Sequence, residues 1–394
     1  MFQGLSSAPP DAILGLTEAF KKDTNPNKIN LGVGVYKDEE GRTPILHCVK
    51  EAEQRLVDEE TTKSYMPMGG APEYAQAVQS LLLGEAYAGA GRVRTAHTPG
   101  GTGGLRVGAE SIHLFAPQAS IWLSTPTWAN HRAVFSAAGL PIREYPYYDP
   151  ATKGVEIDAL LESLQGVPAG DVVLLHVCCH NPTGVDLNVT QWRQVAAIAA
   201  ERGWTPFLDF AYQGFGEGLV EDAAGLAPFL ETGIEMWIAS SFSKNFGLYC
   251  ERTGAVTLVA ADANAAETAF GHVELLIRRN YSNPPAHGGR IVTTVLGDDR
   301  LRGVWLEELS GMRERVRSIR AAFAEGLRQR GVERDFSFIQ AQRGMFSFSG
   351  LNDAQVDRLR AEYGIYIVKG GRINVAGVTT RNLDYLCDAI AAVL

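Results

Sequence analysis

Three apolar runs in the middle of this chain each end in a polar turn, a pattern that restricts the fold more than any other feature. Val172-Val173-Leu174-Leu175-His176-Val177 leads to His180-Asn181-Pro182-Thr183-Gly184. Thr205-Pro206-Phe207-Leu208-Asp209-Phe210 leads to Tyr212, a phenol three residues beyond the acid. Glu235-Met236-Trp237-Ile238-Ala239 leads to Ser240-Ser241-Phe242-Ser243-Lys244. Short, nearly continuous apolar runs are what strands buried on both faces look like, as in a parallel sheet covered by helices. In such sheets ligands bind at the carboxyl ends of the strands. The three turns would therefore bring Asn181, Asp209, Tyr212 and Lys244 to one crevice.

A lysine after a buried strand is costly unless it is paired or chemically used. Hydroxyls surround Lys244 and Arg252 follows eight residues later, groups that suit a bound phosphate. A Schiff-base lysine holding a phosphorylated aldehyde cofactor accounts for these residues together. Pyridoxal phosphate needs what the other turns offer. An aspartate pairs with the pyridinium nitrogen, a phenol and an amide bond the ring hydroxyl, and the lysine later moves a proton. The bland alternative, a solvated lysine after a strand, leaves the other two turns unexplained. Gly100-Gly101-Thr102-Gly103-Gly104 adds a glycine-rich loop after a strand and before a helix, where backbone amides bind phosphate. Arg106 stands where the third glycine of a dinucleotide fingerprint would fall, so that reading is set aside.

At 394 residues the chain exceeds what one compact core normally holds, and two domains are expected. A net charge of −9 argues against a nucleic-acid surface. The opening MFQGLSSAPPDAILGL lacks the basic-then-apolar pattern of a signal peptide, and no run is long enough to span a bilayer. The five cysteines, Cys48, Cys178, Cys179, Cys250 and Cys387, are odd in number and suggest a reducing compartment, so a cytoplasmic protein is expected. His176, Cys178 and His180 would share one side of a strand, which raises zinc. No second cluster with ligand spacing accompanies them, and no metal is expected. Cys178 and Cys179 read instead as small buried residues of a central strand.

Helical patterns fall near Asp11–Lys22, Ile45–Glu60, Pro72–Leu83, Gly103–Phe115, Asn130–Ala138, Thr190–Glu201 and Ala261–Asn280, with a long charged helix near Arg302–Arg330. Strands are expected near Arg94–His97, Ser120–Ser124, Val172–Val177, Pro206–Phe210, Met236–Ala239 and Gly254–Val259, and an extended segment over Ile29–Tyr36. This alternation predicts an α/β fold with a mostly parallel sheet.

The ordered motifs NLGVGVYKDE, TPGGTGGLR, HNPTG, DFAYQGF, SFSKNFGLY, NYSNPPAHG and GMFSFSG run through the chain from Met1 to Leu394. Together they resemble the class I (fold-type I) pyridoxal-phosphate aminotransferases, most nearly the bacterial aspartate aminotransferases. The resemblance implies a large cofactor domain at about 45–310. It also implies a small α/β domain built from both chain ends, an arm and first part at 1–44 and the rest at 311–394. It implies a homodimer with shared sites that moves the amino group of L-aspartate to 2-oxoglutarate, giving oxaloacetate and L-glutamate by ping-pong turnover.

By the same resemblance Gly101 and Thr102 cradle the cofactor phosphate, and Ser241, Ser243 and Arg252 complete the cup, with Tyr65 reaching it across the dimer. Cys250-Glu251 beside Arg252 departs from the expected asparagine and small aliphatic. Trp128 stacks over the ring and His131 stands behind Asp209. Arg372 binds the substrate α-carboxylate near Gly34, and Arg278 receives the distal carboxylate from the partner subunit. Arg279 is its confounder, and the spacing to Asn280-Tyr281-Ser282-Asn283 selects Arg278. The rival within the family is a broad-specificity aromatic-amino-acid aminotransferase. Val35, Lys37, Thr43, Thr102 and Asn283 resemble the aspartate type, whereas Ser64 stands where asparagine is expected.

Overall fold

The apolar runs become strands of one sheet because their side chains are buried on both faces and can satisfy their backbone only by pairing. In a computed structural model that describes residues 2–6 and 14–394, the sheet has seven strands. In chain order they are β1 (Val93–Pro99), β2 (Ile121–Thr125), β3 (Ile142–Pro146), β4 (Val172–His176), β5 (Thr205–Phe210), β6 (Met236–Ser241) and β7 (Thr253–Val259). Their spatial order is β1-β7-β6-β5-β4-β2-β3. Only β7 runs against the rest, paired antiparallel with both β1 and β6. Register sets His176 beside Asp209, Asp209 beside Ala239 and Phe210 beside Ser240.

The chain divides into two compact units, Pro44–Glu314 and Met1–Thr43 with Arg315–Leu394. The first holds the sheet. Helix Gly100–Phe115 packs on β6 and β7, and helices Pro72–Leu83 and Ala286–Leu296 pack on each other and on β1 and β7 respectively. Glycines set the closest approaches: a Cβ on Gly104 would lie 2.6 Å from the Ala255 carbonyl oxygen, and one on Gly108 2.5 Å from the Phe207 ring. Behind Lys244 the fully buried Trp305 donates its indole N–H to the Asn245 carbonyl at 2.8 Å and stacks on Phe246 at 4.5 Å. An anchor of this size is worth about 3–5 kcal/mol against truncation to alanine.

In the second unit Ile29–Asn30 pairs parallel with Ile365–Tyr366, and Phe346–Phe348 pairs antiparallel with Arg372–Asn374. The buried Arg320 donates to the carbonyls of Ile339 at 3.0 Å, Gly344 at 2.8 Å and Phe346 at 2.6 Å. A guanidinium can stay buried only with its donors so engaged.

Several local expectations change. In the extended stretch from Ile29 only Ile29–Asn30 forms a strand, and Leu31 adds backbone hydrogen bonds with Tyr366 at 2.9 Å and Asn374 at 2.8 Å. The first helix covers Leu14–Lys22, residues 11–13 lying outside the described residues. The long helix is Asp299–Gln329, and helices Ile157–Gln165 and Ala286–Leu296 and strand β3 join the pattern. Cys178 and Cys179 are buried but do not belong to a strand: β4 ends at His176, and Cys179 adopts a left-handed φ of 52°. The Asp186 carboxylate turns the chain there by accepting the backbone N–H groups of Cys179 at 2.7 Å and His180 at 2.8 Å. Among the described residues no helix is long and apolar enough to cross a membrane.

Candidate active site

The strand ends of the sheet unit assemble two linked groups of side chains. The first is centred on Asp209, near the carboxyl end of β5. His131 Nε2 lies 3.0 Å from its Oδ2, and Thr127 Oγ1 lies 2.8 Å from His131 Nδ1. His176, its register partner on β4, places Nε2 4.0 Å from the same oxygen. Burial alone would raise the Asp209 carboxyl. The His131 hydrogen bond and the interactions with His131, His176 and Lys244 outweigh it, and the net shift is downward, so the carboxylate stays charged. Burial drives His176 down to about 3 and His180 well below its ordinary value, so both rings are neutral. Trp128 stands edge-on to His131 with ring centres 5.1 Å apart.

Lys244 follows β6 and holds Nζ 4.9 Å from the centre of the Tyr212 ring. Burial, with Arg252 adding to it and Asp209 opposing it, lowers this amine to about 8. Tyr212 is buried, and the loop after it is tied by Asp222, whose carboxylate accepts the N–H groups of Gly214, Gly216 and Glu217 at 2.8, 2.9 and 2.8 Å. Asn181 is buried after β4, and its Oδ1 has no hydrogen-bond partner. Beside it His180 bonds Ser124 at 3.0 Å and Thr183 at 2.8 Å and stacks flat on Tyr147.

The second group is a cup. Ser241 Oγ donates to Ser243 Oγ at 3.1 Å and accepts the Ser243 N–H at 3.2 Å. Arg252 reaches Ser243 Oγ at 3.4 Å and the Tyr249 carbonyl at 2.9 Å, keeping an exposed face. The helix Gly100–Phe115 starts against them. Gly100 has a φ of 71°, and a Cβ there would lie 2.4 Å from Arg252 Nη2; one on Gly101 would lie 3.0 Å from Ser241 Cβ. Thr102 sits in the first turn of that helix, half-buried. Free amides, two hydroxyls and a guanidinium fork suit a dianion.

Tyr65 and Arg278 belong to neither group. Tyr65 is 93 % exposed in an irregular segment, and Arg278 is exposed in the last turn of Ala263–Asn280 against the Ser282 hydroxyl. Arg372 and Gly34 belong to the second unit. There Arg372 is buried over the Phe346 ring at 4.3 Å, donates to the Gly32 carbonyl at 2.5 Å, and a Cβ on Gly34 would meet the same ring at 2.7 Å. The zinc grouping weighed from the sequence is not what the fold collects. Among the described residues the clusters with ligand atoms within 4.8 Å of one another are His131 with His176 and Asp209, and Cys178 with Cys179 and Asp222. The place of His176 beside Asp209 was readable only from register, which a single sequence does not carry.

A sequence profile described as aminotransferase class I and II matches residues 26–390. An aspartate aminotransferase of Salmonella typhi is 53% identical over the full length of both chains. An aromatic-amino-acid aminotransferase of Pseudomonas aeruginosa is 46% identical, covering all of this chain and 98% of its own length. A crystal structure of an aromatic-amino-acid aminotransferase from Burkholderia pseudomallei, covalently bound to pyridoxal phosphate, superposes with a TM-score of 0.98 at 50% identity. It covers all of this chain and 99% of that one. The chain belongs to the aminotransferase class I and II family.

Proposed function

We propose that this chain is an aspartate aminotransferase that passes the amino group of L-aspartate to 2-oxoglutarate by a ping-pong cycle on pyridoxal phosphate. The observation that carries the substrate is the 53% full-length identity to a relative named aspartate aminotransferase, against 46% to the aromatic relative of Pseudomonas aeruginosa.

The residues present fit the cofactor. The cup of amides, Ser241, Ser243 and Arg252 suits its phosphate, and the arginine fills the space beside Gly100, so any side chain there would have to displace it. Asp209 stays ionised for a pyridinium nitrogen, and the unpartnered Asn181 Oδ1 leaves that amide free to turn toward a ring substituent beside Tyr212. When bound, pyridoxal phosphate supplies a carbonyl for attachment and an electron sink for the electrons of the substrate Cα–H bond.

Lys244 has two tasks in this reading. Its amine, lowered to about 8, is neutral in a useful fraction and would hold the cofactor through its aldehyde, and as a free amine it would take up the proton from the substrate Cα. Tyr212 lines that path with its ring against Nζ. His131 orients Asp209, with Thr127 fixing the ring from behind. Trp128 covers the site. Arg372 would grip the substrate α-carboxylate beside Gly34, and its bidentate fork would fix the Cα–H direction. Arg278, exposed at its helix end, would receive the distal carboxylate in the neighbouring subunit of a homodimer, and Tyr65 would reach the neighbour's phosphate. Their exposure supports a role outside their own subunit. The domain division expected at 45–310 is supported by compact units that part at Thr43/Pro44 and Glu314/Arg315. Free thiols at all five cysteines support a reducing compartment, and we place the enzyme in the cytoplasm.

A second reading, a broad-specificity aromatic aminotransferase, is favoured by the 50% identity to the Burkholderia pseudomallei structure and by Ser64. Single-turnover reactions of the cofactor-loaded enzyme with aspartate, glutamate, phenylalanine and tyrosine, followed by cofactor absorbance, decide between them. Aspartate reacting at least tenfold more efficiently than phenylalanine supports the first reading; the reverse order establishes the second.

A further inference from the structure

We propose that in the cofactor-free chain His131 Nε2, His176 Nε2 and an Asp209 carboxylate oxygen bind a divalent transition-metal ion of the zinc class, and that this ion and the cofactor exclude each other. The exclusion rests on the reading of Asp209 as the partner of the pyridinium nitrogen; the metal site itself does not.

The three ligand atoms lie within 4.8 Å of one another, with His131 at 3.0 Å and His176 at 4.0 Å from Asp209 Oδ2. A tetrahedral ion with bonds of about 2.0–2.2 Å separates its ligand atoms by roughly 3.3–3.5 Å. The two contacts to Asp209 would change by about half an ångström or less to seat it, and the two imidazole nitrogens, within 4.8 Å of each other, would close by at most about 1.5 Å. Imidazole and carboxylate together select zinc, cobalt or nickel over magnesium and calcium. His176 is buried and its Nε2 has no hydrogen-bond partner, so with the ring proton on Nδ1 its Nε2 lone pair has no competing use. Strand pairing of His176 with Asp209 holds two of the ligands in place.

The third is supported from behind. Thr127 Oγ1, 2.8 Å from His131 Nδ1, can donate or accept. A neutral His131 can thus carry its proton on Nδ1, bonded to the threonine, and turn the Nε2 lone pair to the metal with no net change in protonation. Such an outer-sphere bond to the distal nitrogen is what metal-binding imidazoles require. The competing cluster of Cys178, Cys179 and Asp222 is less suited, because the Asp222 carboxylate already takes three backbone N–H groups. An ion on the Asp209 carboxylate would set its positive charge against that of a pyridinium paired with the same carboxylate.

The test uses the full-length chain freed of cofactor and titrated with Co2+, read by visible d–d absorption. We expect one cobalt per chain, no sulfur-to-metal charge-transfer band, and at least tenfold weaker binding in His176→Leu. Adding pyridoxal phosphate to the cobalt-loaded wild type should expel the ion one for one, which keeps the test independent of how well the variant folds. Absence of cobalt binding in the wild type, a thiolate band, or unchanged affinity in a folded His176→Leu overturns the site. Cofactor and cobalt bound together overturns the exclusion. A metal-free chain that binds no pyridoxal phosphate overturns the proposed function instead, and leaves the cobalt titration to stand or fall alone.

Discussion

The amine of Lys244 offers the sharpest quantitative prediction. Burial and Arg252 lower it to about 8, with Asp209 holding it from falling further. At pH 7.5 a lysine with a pKa near 8 is about one-quarter neutral, against roughly 0.1 % for one at 10.4, a gain of about two hundredfold in attacking species. In the cofactor-free chain, Lys244 should therefore be modified first by a small aldehyde with cyanoborohydride. Its rate should inflect near pH 8 when followed by peptide mass spectrometry, while exposed lysines keep rising past pH 9. Asp209→Asn removes the charge that raises Lys244, so the inflection should move to lower pH. Arg252→Gln removes a charge that lowers it, so the inflection should move up. An inflection near that of the exposed lysines, or shifts of the opposite sign in the two variants, would refute the electrostatic reading.

Replacing Arg278 with leucine should cost aspartate turnover about 2–5 kcal/mol, the usual loss when one partner of a buried charge pair is removed, or roughly one and a half to nearly four orders of magnitude. Phenylalanine turnover should fall far less, and parallel losses in kcal/mol on both substrates would exclude Arg278 as the distal receiver. Gly100→Ala should displace Arg252, whose charge-assisted hydrogen bonds are worth about 1.5–3 kcal/mol, so pyridoxal phosphate should bind roughly ten- to hundredfold more weakly by fluorescence titration; unchanged affinity would contradict the cup. His97, buried with both ring nitrogens unpartnered and its ring tilted against Tyr74 at 4.2 Å, is lowered by burial to about 4. Because its folded pKa lies below its unfolded one, its neutral form contributes fully above about pH 6.5 and is lost as pH falls toward 4. Wild type should lose about 2 kcal/mol between pH 7 and pH 5 that His97→Gln retains, measured as the difference in urea unfolding; identical pH dependence would remove His97 from the account.

Much of the fold was legible because buried parallel strands announce themselves as short apolar runs, and β4, β5 and β6 each do so within a residue or two of their ends. Strand β3 was not, because Ile142-Arg143-Glu144-Tyr145-Pro146 lies at the sheet edge, with two exposed charged positions and no apolar run. Helix Ala286–Leu296 opens on Ala-His-Gly-Gly, which reads as a loop, yet its glycines fit closely against Thr253 and His97. The reversal of β7 leaves no mark in sequence, since its burial pattern is the same either way. At the candidate site, residue type and position at or just beyond the carboxyl end of a strand singled out Lys244, Asp209 and Asn181. The contact of His176 with Asp209, the Asp186 turn at Cys179 and the burial of Arg372 over Phe346 depend on pairings between distant segments, and only the folded chain contains them.

The central claim is that Lys244 holds the cofactor. Borohydride reduction of the enzyme as isolated, followed by proteolysis and mass spectrometry, tests it most directly. The account predicts one pyridoxyl group per chain, on the peptide containing Ser243-Lys244-Asn245, and none in Lys244→Ala even where the variant retains cofactor without a covalent bond. A pyridoxyl group on any other lysine, or a reduced enzyme that carries none, would contradict it.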